Sequence, residues 1–337
     1  MANVLAIRLG ALGDVAIAVP SLYSFATQYP QHTLYFVTRQ GFVSLFTQAP
    51  SNLKVVGIDL KQYDGIGGLH RFYKQILKPL HIDAVADLHN VMRSWVLDAH
   101  LRMAGAQVAR RVKDKKERLQ LLRKENKNWV PLRPYYQRFA DVFGTLGYPI
   151  TLQFEGLKVE SPLPADGYKW IGIAPFSAHQ GKVYPLEKMQ QVVQQLSALP
   201  DVKLLCFGGG KAEKEVFDAW QQRYPNVVSL AGKYTLWQEL GIMRCLNVML
   251  SMDSANMHLA SLVGVPVVSV WGPSHPYVGF CPWGQAPDNA VQVDLPCRPC
   301  SEWGAKPCYR GDWACMHGIA PQTIVQKIKQ FIQWQKF

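Results

Sequence analysis

Apolar residues in this chain come in short unbroken runs, separated by stretches in which they recur every three or four positions. The runs NVLAIRL (3–9), HTLYFVT (32–38), LKVVGID (53–59) and DAVADLH (83–89) read as strands, with helical spacing between them over 16–28 and 69–79. A strand–helix alternation of this kind predicts a parallel sheet covered on both faces. ESPLPADGYKW (160–170), with two prolines, a glycine and acidic residues, interrupts it as a linker. The alternation then restarts with strands at WIGIAPF (170–176), VKLLCFGG (202–209), VVSLAG (227–232), VMLSMD (248–253) and VPVVSVWG (265–272). Helices fit at 186–199, 211–223, 236–244 and 256–262. The pattern predicts an α/β protein made of two doubly wound domains in tandem.

Composition narrows this picture in three ways. The 337 residues suit two domains, and 48% hydrophobic with 18% charged residues excludes a disordered chain. No apolar run approaches the roughly 20 residues of a membrane span. The run at 4–7 is too short for a secretory signal, so a cytoplasmic location with reduced thiols is expected. The net charge of +12 calls for an anionic partner: nucleic acid, a phosphorylated substrate or an acidic membrane surface. The base concentrates in ARRVKDKKERLQLLRKENK (109–127), which holds Arg110, Arg111, Lys115 and Lys116. That segment reads either as a solvated face or as a docking patch.

Three segments carry chemistry. In IRLGALGDVAIAVP, Gly10 and Gly13 allow close backbone approach after the first strand, and Asp14 opens the following helix. The segment is not G-x-G-x-x-G, so a dinucleotide fingerprint is absent. Asp14 reads either as a helix cap or as the acceptor of a substrate hydroxyl proton. The loop SAHQGKVYP follows the first strand of the second domain and offers the Ser177 hydroxyl and the compact cation of Lys182 to a phosphate. In SMDSANMHLASLVGVPVVSVWGPSHP a strand ends at Asp253. Ser254 and Ala255 begin a helix carrying His258, and Gly272 ends the next strand in the same crevice. The amides of such a helix start suit a pyrophosphate.

Together with DLHNVMRS (87–94), these segments resemble glycosyltransferase family 9, the heptosyltransferases of lipopolysaccharide assembly, over nearly the whole chain. The resemblance implies a GT-B fold, two Rossmann-like domains facing a central cleft. Residues 1–160 would hold the acceptor, 168–320 the nucleotide-sugar, and 321–337 a closing helix that packs back on the N-terminal domain. It implies inverting transfer of a heptose, from ADP-heptose as the family's usual donor, to an inner-core or lipid A acceptor. No cofactor is required, and the work is done peripherally at the cytoplasmic face of the inner membrane. Asp14 matches the family's base; Ser177 and Lys182 match its phosphate-binding positions, and Asp253, Ser254 and His258 its donor loop, with Ala255 and Gly272 placed beside them on the donor side. On the acceptor side stand Gly10, Gly13, Asp87, Arg93, Arg110, Arg111, Lys115 and Lys116. Two positions depart from the family: Ala255 replaces its usual glycine, and KVYP stands for Lys-x-Trp-Pro.

Cys297, Cys300, Cys308 and Cys315 form a C-x2-C-x7-C-x6-C run, which reads either as a structural zinc site or as reduced, packed thiols; a catalytic metal is not expected. Two other functions remain to be weighed. A nucleic-acid-binding protein would use the basic segment and the cysteines, and a GT-B-like sugar-nucleotide epimerase would share the fold. The first leaves Asp14, Lys182 and the Asp253 loop without a role, so no nucleic-acid partner is expected.

Overall fold

A computed structural model describes residues 1–333, and its contacts group the chain into two units. The first comprises residues 1–113 and 133–155; the second comprises 114–132 and everything from 156 onward.

The first unit begins with β1 (Asn3–Ile7), α1 (Leu12–Gln28), β2 (Thr33–Arg39), β3 (Leu53–Ile58) and α2 (Gly65–Phe72). It continues through β4 (Ala84–Asp87), α3 (Met92–Met103) and β5 (Gln107–Arg110). The chain then leaves it for α4 (Lys115–Leu121), in the second unit, and returns with α5 (Tyr135–Thr145). The sheet is wholly parallel, in the order β3-β2-β1-β4-β5. Its centre is β1, where Val4, Leu5, Ala6 and Ile7 are fully buried, as an uninterrupted apolar run in a sheet covered on both faces requires. The helix read at 69–79 starts earlier, at Gly65, widens over Tyr73–Leu77 and ends in a tight turn over Lys78–Leu80 that contains Pro79. α3 escaped the periodicity because its buried face includes Ser94 and Asp98 among the leucines.

The second unit runs β6 (Lys169–Ala174), α6 (Leu186–Ser197), β7 (Val202–Cys206), α7 (Lys211–Arg223), β8 (Val227–Ser229) and α8 (Leu236–Arg244). It continues with β9 (Val248–Met252), α9 (Ala255–Leu262), β10 (Val267–Val270), β11 (Ala290–Val291), α10 (Ala314–His317) and α11 (Pro321–Gln333). The strands are parallel in the order β11-β10-β9-β6-β7-β8. α8 begins with a reciprocal cap in which the Thr235 and Gln238 side chains each accept the other's backbone N–H. The closing helix expected over 321–337 is described to Gln333. Its Ile324, Val325, Ile328 and Ile332 lie in this unit's core, and residues 334–337 lie outside the described residues.

Two boundaries differ from the expectation. Residues 114–127 of the basic segment belong with the second unit, because Arg118 pairs with Glu302 at 3.1 Å and Lys127 Nζ donates to the Pro299 carbonyl at 2.8 Å. Leu132 N donates to the Tyr277 carbonyl at 2.8 Å, and Leu121 is fully buried. Residues before the expected linker are also packed down: Leu157 N donates to the Leu262 carbonyl at 2.7 Å. A Cβ at Gly241 of α8 would lie 2.1 Å from the Glu160 carbonyl oxygen, so glycine there lets the chain cross the helix in contact with its backbone. Gly241→Ala is therefore expected to destabilise the protein by about 1–3 kcal/mol, read from its urea unfolding midpoint.

Candidate active site

In each sheet the strand order reverses beside the unit's first strand, and the loops leaving the two flanking strands diverge there. In the first unit the reversal lies between β1 and β4, with Ile7 opposite Asp87. In the second it lies between β6 and β9, with Ala174 opposite Ser251. The carboxyl ends of strands at such points form the crevices in which open α/β sheets bind ligands.

The first crevice is built around Asp14. Its Oδ2 accepts the Ala11 backbone N–H at 3.0 Å, so the carboxylate does cap α1. The same oxygen lies 2.5 Å from Arg8 Nη2, and the side chain keeps 22% of its surface exposed. Arg8 is buried and tied through Nη1 to the Leu88 carbonyl at 3.0 Å. Gly10, at φ +140°, leaves room for Arg39, whose Nε donates to the Leu9 carbonyl at 2.7 Å; a Cβ on Gly10 would meet that nitrogen at 3.2 Å. Gly13 lies in the first turn of α1. His89 faces this group: burial, then the positive charge of Arg8, Arg111 and Arg39 against that of Asp14, pushes its imidazole down to about 3. It is neutral at physiological pH, and its Nδ1 accepts the Leu9 N–H at 3.4 Å. Sequence reasoning missed Arg8, Arg39 and His89. Only the cation two residues before Gly10 was visible as a signal.

Along the wall of this crevice Asp87 is fully buried and accepts the backbone N–H groups of His89 (2.9 Å) and Asn90 (2.7 Å) and the Ser94 hydroxyl (2.8 Å). It organises the loop after β4 and has no surface open to an acceptor. Arg111 is also buried, at 7% exposure, whereas Arg93 and Arg110 are exposed. Lys115 and Lys116 are exposed on α4 and belong to the second unit, where the contacts of Arg118 and Lys127 hold that segment. Asp98, 1% exposed, receives Arg110 Nε at 2.7 Å. Burial first, then the neighbouring Asp87 charge, pushes its carboxyl up to about 7, against the pull of Arg110.

The second crevice gathers most of the donor candidates. Lys182, at the end of a short helical turn after β6, is 7% exposed, and its ammonium lies 2.8 Å from Asp253 Oδ2. That oxygen also accepts the Ser274 hydroxyl at 2.6 Å, and Ser177 Oγ donates to the Asp253 carbonyl at 3.4 Å. Ser254 precedes α9 but turns its hydroxyl to Ser251 at 3.1 Å, so it does not cap the helix; Ala255 is the first helical residue. His258 is buried on that helix. Gly272 packs under Met316, which a Cβ would strike at 2.6 Å, and its carbonyl accepts Arg298 Nε. Beside Ser177 opens a pocket of about 710 Å³, whose lining includes Phe176, Glu213, Val216 and Trp313.

The four clustered cysteines line one cavity of about 10 Å³ with Arg298. The zinc reading gains no support: among the described residues no group of three or more His, Cys, Asp and Glu is arranged to hold a metal ion. The loop is organised instead by Arg298, 2% exposed, whose guanidinium reaches the carbonyls of Trp271, Gly272, Ser274 and Val293 and the Gln292 side chain. Burial pushes the Cys315 thiol up to about 11 and raises that of Cys300.

Two outcomes follow from these charges. Asp253→Ala strands the Lys182 ammonium in a buried place and is expected to cost about 3–5 kcal/mol. Lys182→Met combined with Asp253→Ala should cost less than the two single changes summed, in a double-mutant cycle of unfolding free energies. Folding raises the Asp98 carboxyl from about 4 to about 7. Its contribution to stability is therefore full below about pH 4 and lost as pH rises through about 7. The melting temperature of Asp98→Asn should gain on that of the wild type across this window.

Comparison with known proteins places the chain in a family. The model of glycosyltransferase family 9 (heptosyltransferase) matches residues 70–307. Lipooligosaccharide heptosyltransferase 2 of Campylobacter jejuni is 23% identical over 332 residues, 96% of this chain and 96% of that one. The structure of a family 9 glycosyl transferase from Veillonella parvula superposes with a TM-score of 0.77 at 20% identity, over 98% of this chain and 97% of that one. E. coli heptosyltransferase WaaC, solved with ADP, gives 0.67 at 16% identity over 98% and 99%. The two parallel α/β units are thus those of the GT-B glycosyltransferases. Neither the nucleic-acid-binding reading nor the epimerase reading gains support. Matched over most of its length by the family model, this chain belongs to glycosyltransferase family 9, the heptosyltransferases.

Proposed function

We propose that this chain moves a heptose from a nucleotide-diphosphate sugar, ADP-heptose, to a hydroxyl of an anionic lipopolysaccharide or lipooligosaccharide core, with inversion and without a metal. The observation that carries the reading is the partly exposed Asp14 carboxylate at the β1/β4 crevice, oriented by Arg8 and by the Ala11 amide. Its support comes from relatives named as heptosyltransferases of such glycolipids and from a structural neighbour solved with ADP.

In this mechanism the acceptor oxygen bonds to the anomeric carbon as the bond to the diphosphate oxygen breaks. The hydroxyl proton passes to Asp14 as that oxygen becomes acidic, and Arg8 holds the carboxylate in line. The departing diphosphate takes the electron pair of the broken bond. Lys182, the Ser177 and Ser254 hydroxyls and the amides that open α9 answer its charge, aided by the fixed Asp253 and by His258 and Gly272 around them. Fixed donors of this kind are typically worth about 3 kcal/mol each in the transition state. His89, held neutral, serves as a hydrogen-bonding wall and not as a proton carrier.

The acceptor's anionic groups are met by Arg93 and Arg110. On the second unit, exposed Lys115, Lys116, Arg123 and Lys124 stand with exposed Leu119, Trp129 and Val130 on one segment, which suits peripheral contact with an anionic cytoplasmic leaflet. No helix among the described residues is long and apolar enough to cross a membrane.

Asp14→Asn keeps the shape of the cap and removes the base. It should lower kcat by about 10²–10⁴-fold with the KM for donor and acceptor nearly unchanged, in a transfer assay run with a chelator present. Retention of full kcat would leave Asp14 only its capping role.

A further inference from the structure

Beside the Asp14 crevice the first unit displays an indole that the transfer chemistry does not use. Trp95 lies on the first turns of α3 and keeps 40% of its surface exposed. It is nevertheless held in place by a hydrogen bond and two neighbouring cations. Its Nε1–H donates to Asn90 Oδ1 at 2.7 Å. Asn90 is itself held in the left-handed region, at φ 54°, by its N–H bond to Asp87 and by Nδ2 donating to the Arg111 carbonyl at 2.9 Å. The Arg110 guanidinium carbon stands 5.8 Å from the ring centroid and Lys113 Nζ 5.4 Å from it. Arg110 is anchored from behind by Asp98, one helical turn beyond Trp95, whose carboxylate is almost wholly buried.

Exposed side chains are ordinarily mobile, and ordering one is part of what binding must overcome. Here a strained loop residue and two buried carboxylates order an aromatic face and a cation before any ligand arrives. A flat apolar face bordered by cations suits a sugar ring that stacks its C–H face and carries phosphate or carboxylate. It suits a lipid interface less well, since the indole N–H is satisfied inside the protein and two cations stand close to the ring. We propose that Trp95, Arg110 and Lys113 form a stacking subsite for an anionically substituted sugar of the acceptor, next to the sugar that receives the heptose. This subsite rests on the transferase reading above.

The test uses the full chain, ADP-heptose and a truncated, delipidated lipopolysaccharide oligosaccharide as acceptor, with and without phosphatase treatment. Trp95→Ala is expected to raise the acceptor KM about tenfold or more, leave the donor KM unchanged and lower kcat little. Trp95→Phe should recover most of the loss, and dephosphorylation should weaken wild type more than Arg110→Gln. A thermal shift with ADP-heptose equal to that of wild type shows that each variant is folded. An unchanged acceptor KM in Trp95→Ala, while Asp14→Asn is inactive, would overturn the subsite and leave the transferase reading standing. If the wild type transferred nothing, the transferase reading would fall. The subsite would then be judged by direct binding of the same oligosaccharide, and binding indifferent to Trp95 would sink it. Loss of binding to anionic phospholipid vesicles in Trp95→Ala, with oligosaccharide KM intact, would also overturn it and assign the face to the membrane.

Discussion

Each unit depends on a parallel pairing between strands that begin opposite halves of its sheet: β1 with β4, and β6 with β9. Parallel strands end side by side, and where the order reverses their following loops turn to opposite faces and leave a gap between them. Backbone amides and helix starts then point into a space that no side chain of the sheet fills. Arg8, Asp14, His89, Ser177, Lys182 and Ser254 stand on loops leaving one of these four strands or at the start of the helix that follows, while Arg39, Arg110 and Gly272 reach in from the neighbouring strands β2, β5 and β10. The pairing itself is held by residues with no chemistry, the fully buried run from Val4 to Ile7 and the core strands of the second unit.

The two crevices handle charge differently. In the first, one partly exposed carboxylate faces several arginines, and burial, aided by the positive charge around it, keeps the histidine among them neutral. In the second, a lysine and an aspartate are both withdrawn from water and joined to a serine hydroxyl. Burying such a pair contributes little to stability, and its retention fits a requirement for a cation fixed in place. A base needs access to its substrate, whereas a group that answers a departing charge gains from a dry, immobile setting.

Reading from sequence succeeded where one segment contains the whole signal. The central strands are short runs dominated by apolar residues, and Ser177, Lys182, Asp253 and Ser254 each follow such a run at the point where a crevice must form. It failed where polar residues turn inward. Ser94 and Asp98 broke the periodicity of α3, and Arg298 sat unnoticed among the cysteines whose spacing suggested zinc. The segment 109–127 looked uniformly basic, yet Arg111 is buried, Arg110 is pinned by Asp98, and Arg118 is paired with Glu302.

What the sequence by itself determined is the alternation of strand and helix, the presence of two doubly wound units and the family motifs at their strand ends. These rest on local periodicity and on residues close along the chain. The tertiary structure alone decided which charges meet: Arg8 with Asp14, Asp98 with Arg110, Lys182 with Asp253, and Arg118 with Glu302. Apart from Arg8 and Asp14, these partners lie 12 to 184 residues apart, and no periodicity records them. Their pairing follows from which strand ends the sheet order sets side by side. The need to compensate each charge as it leaves water does the rest.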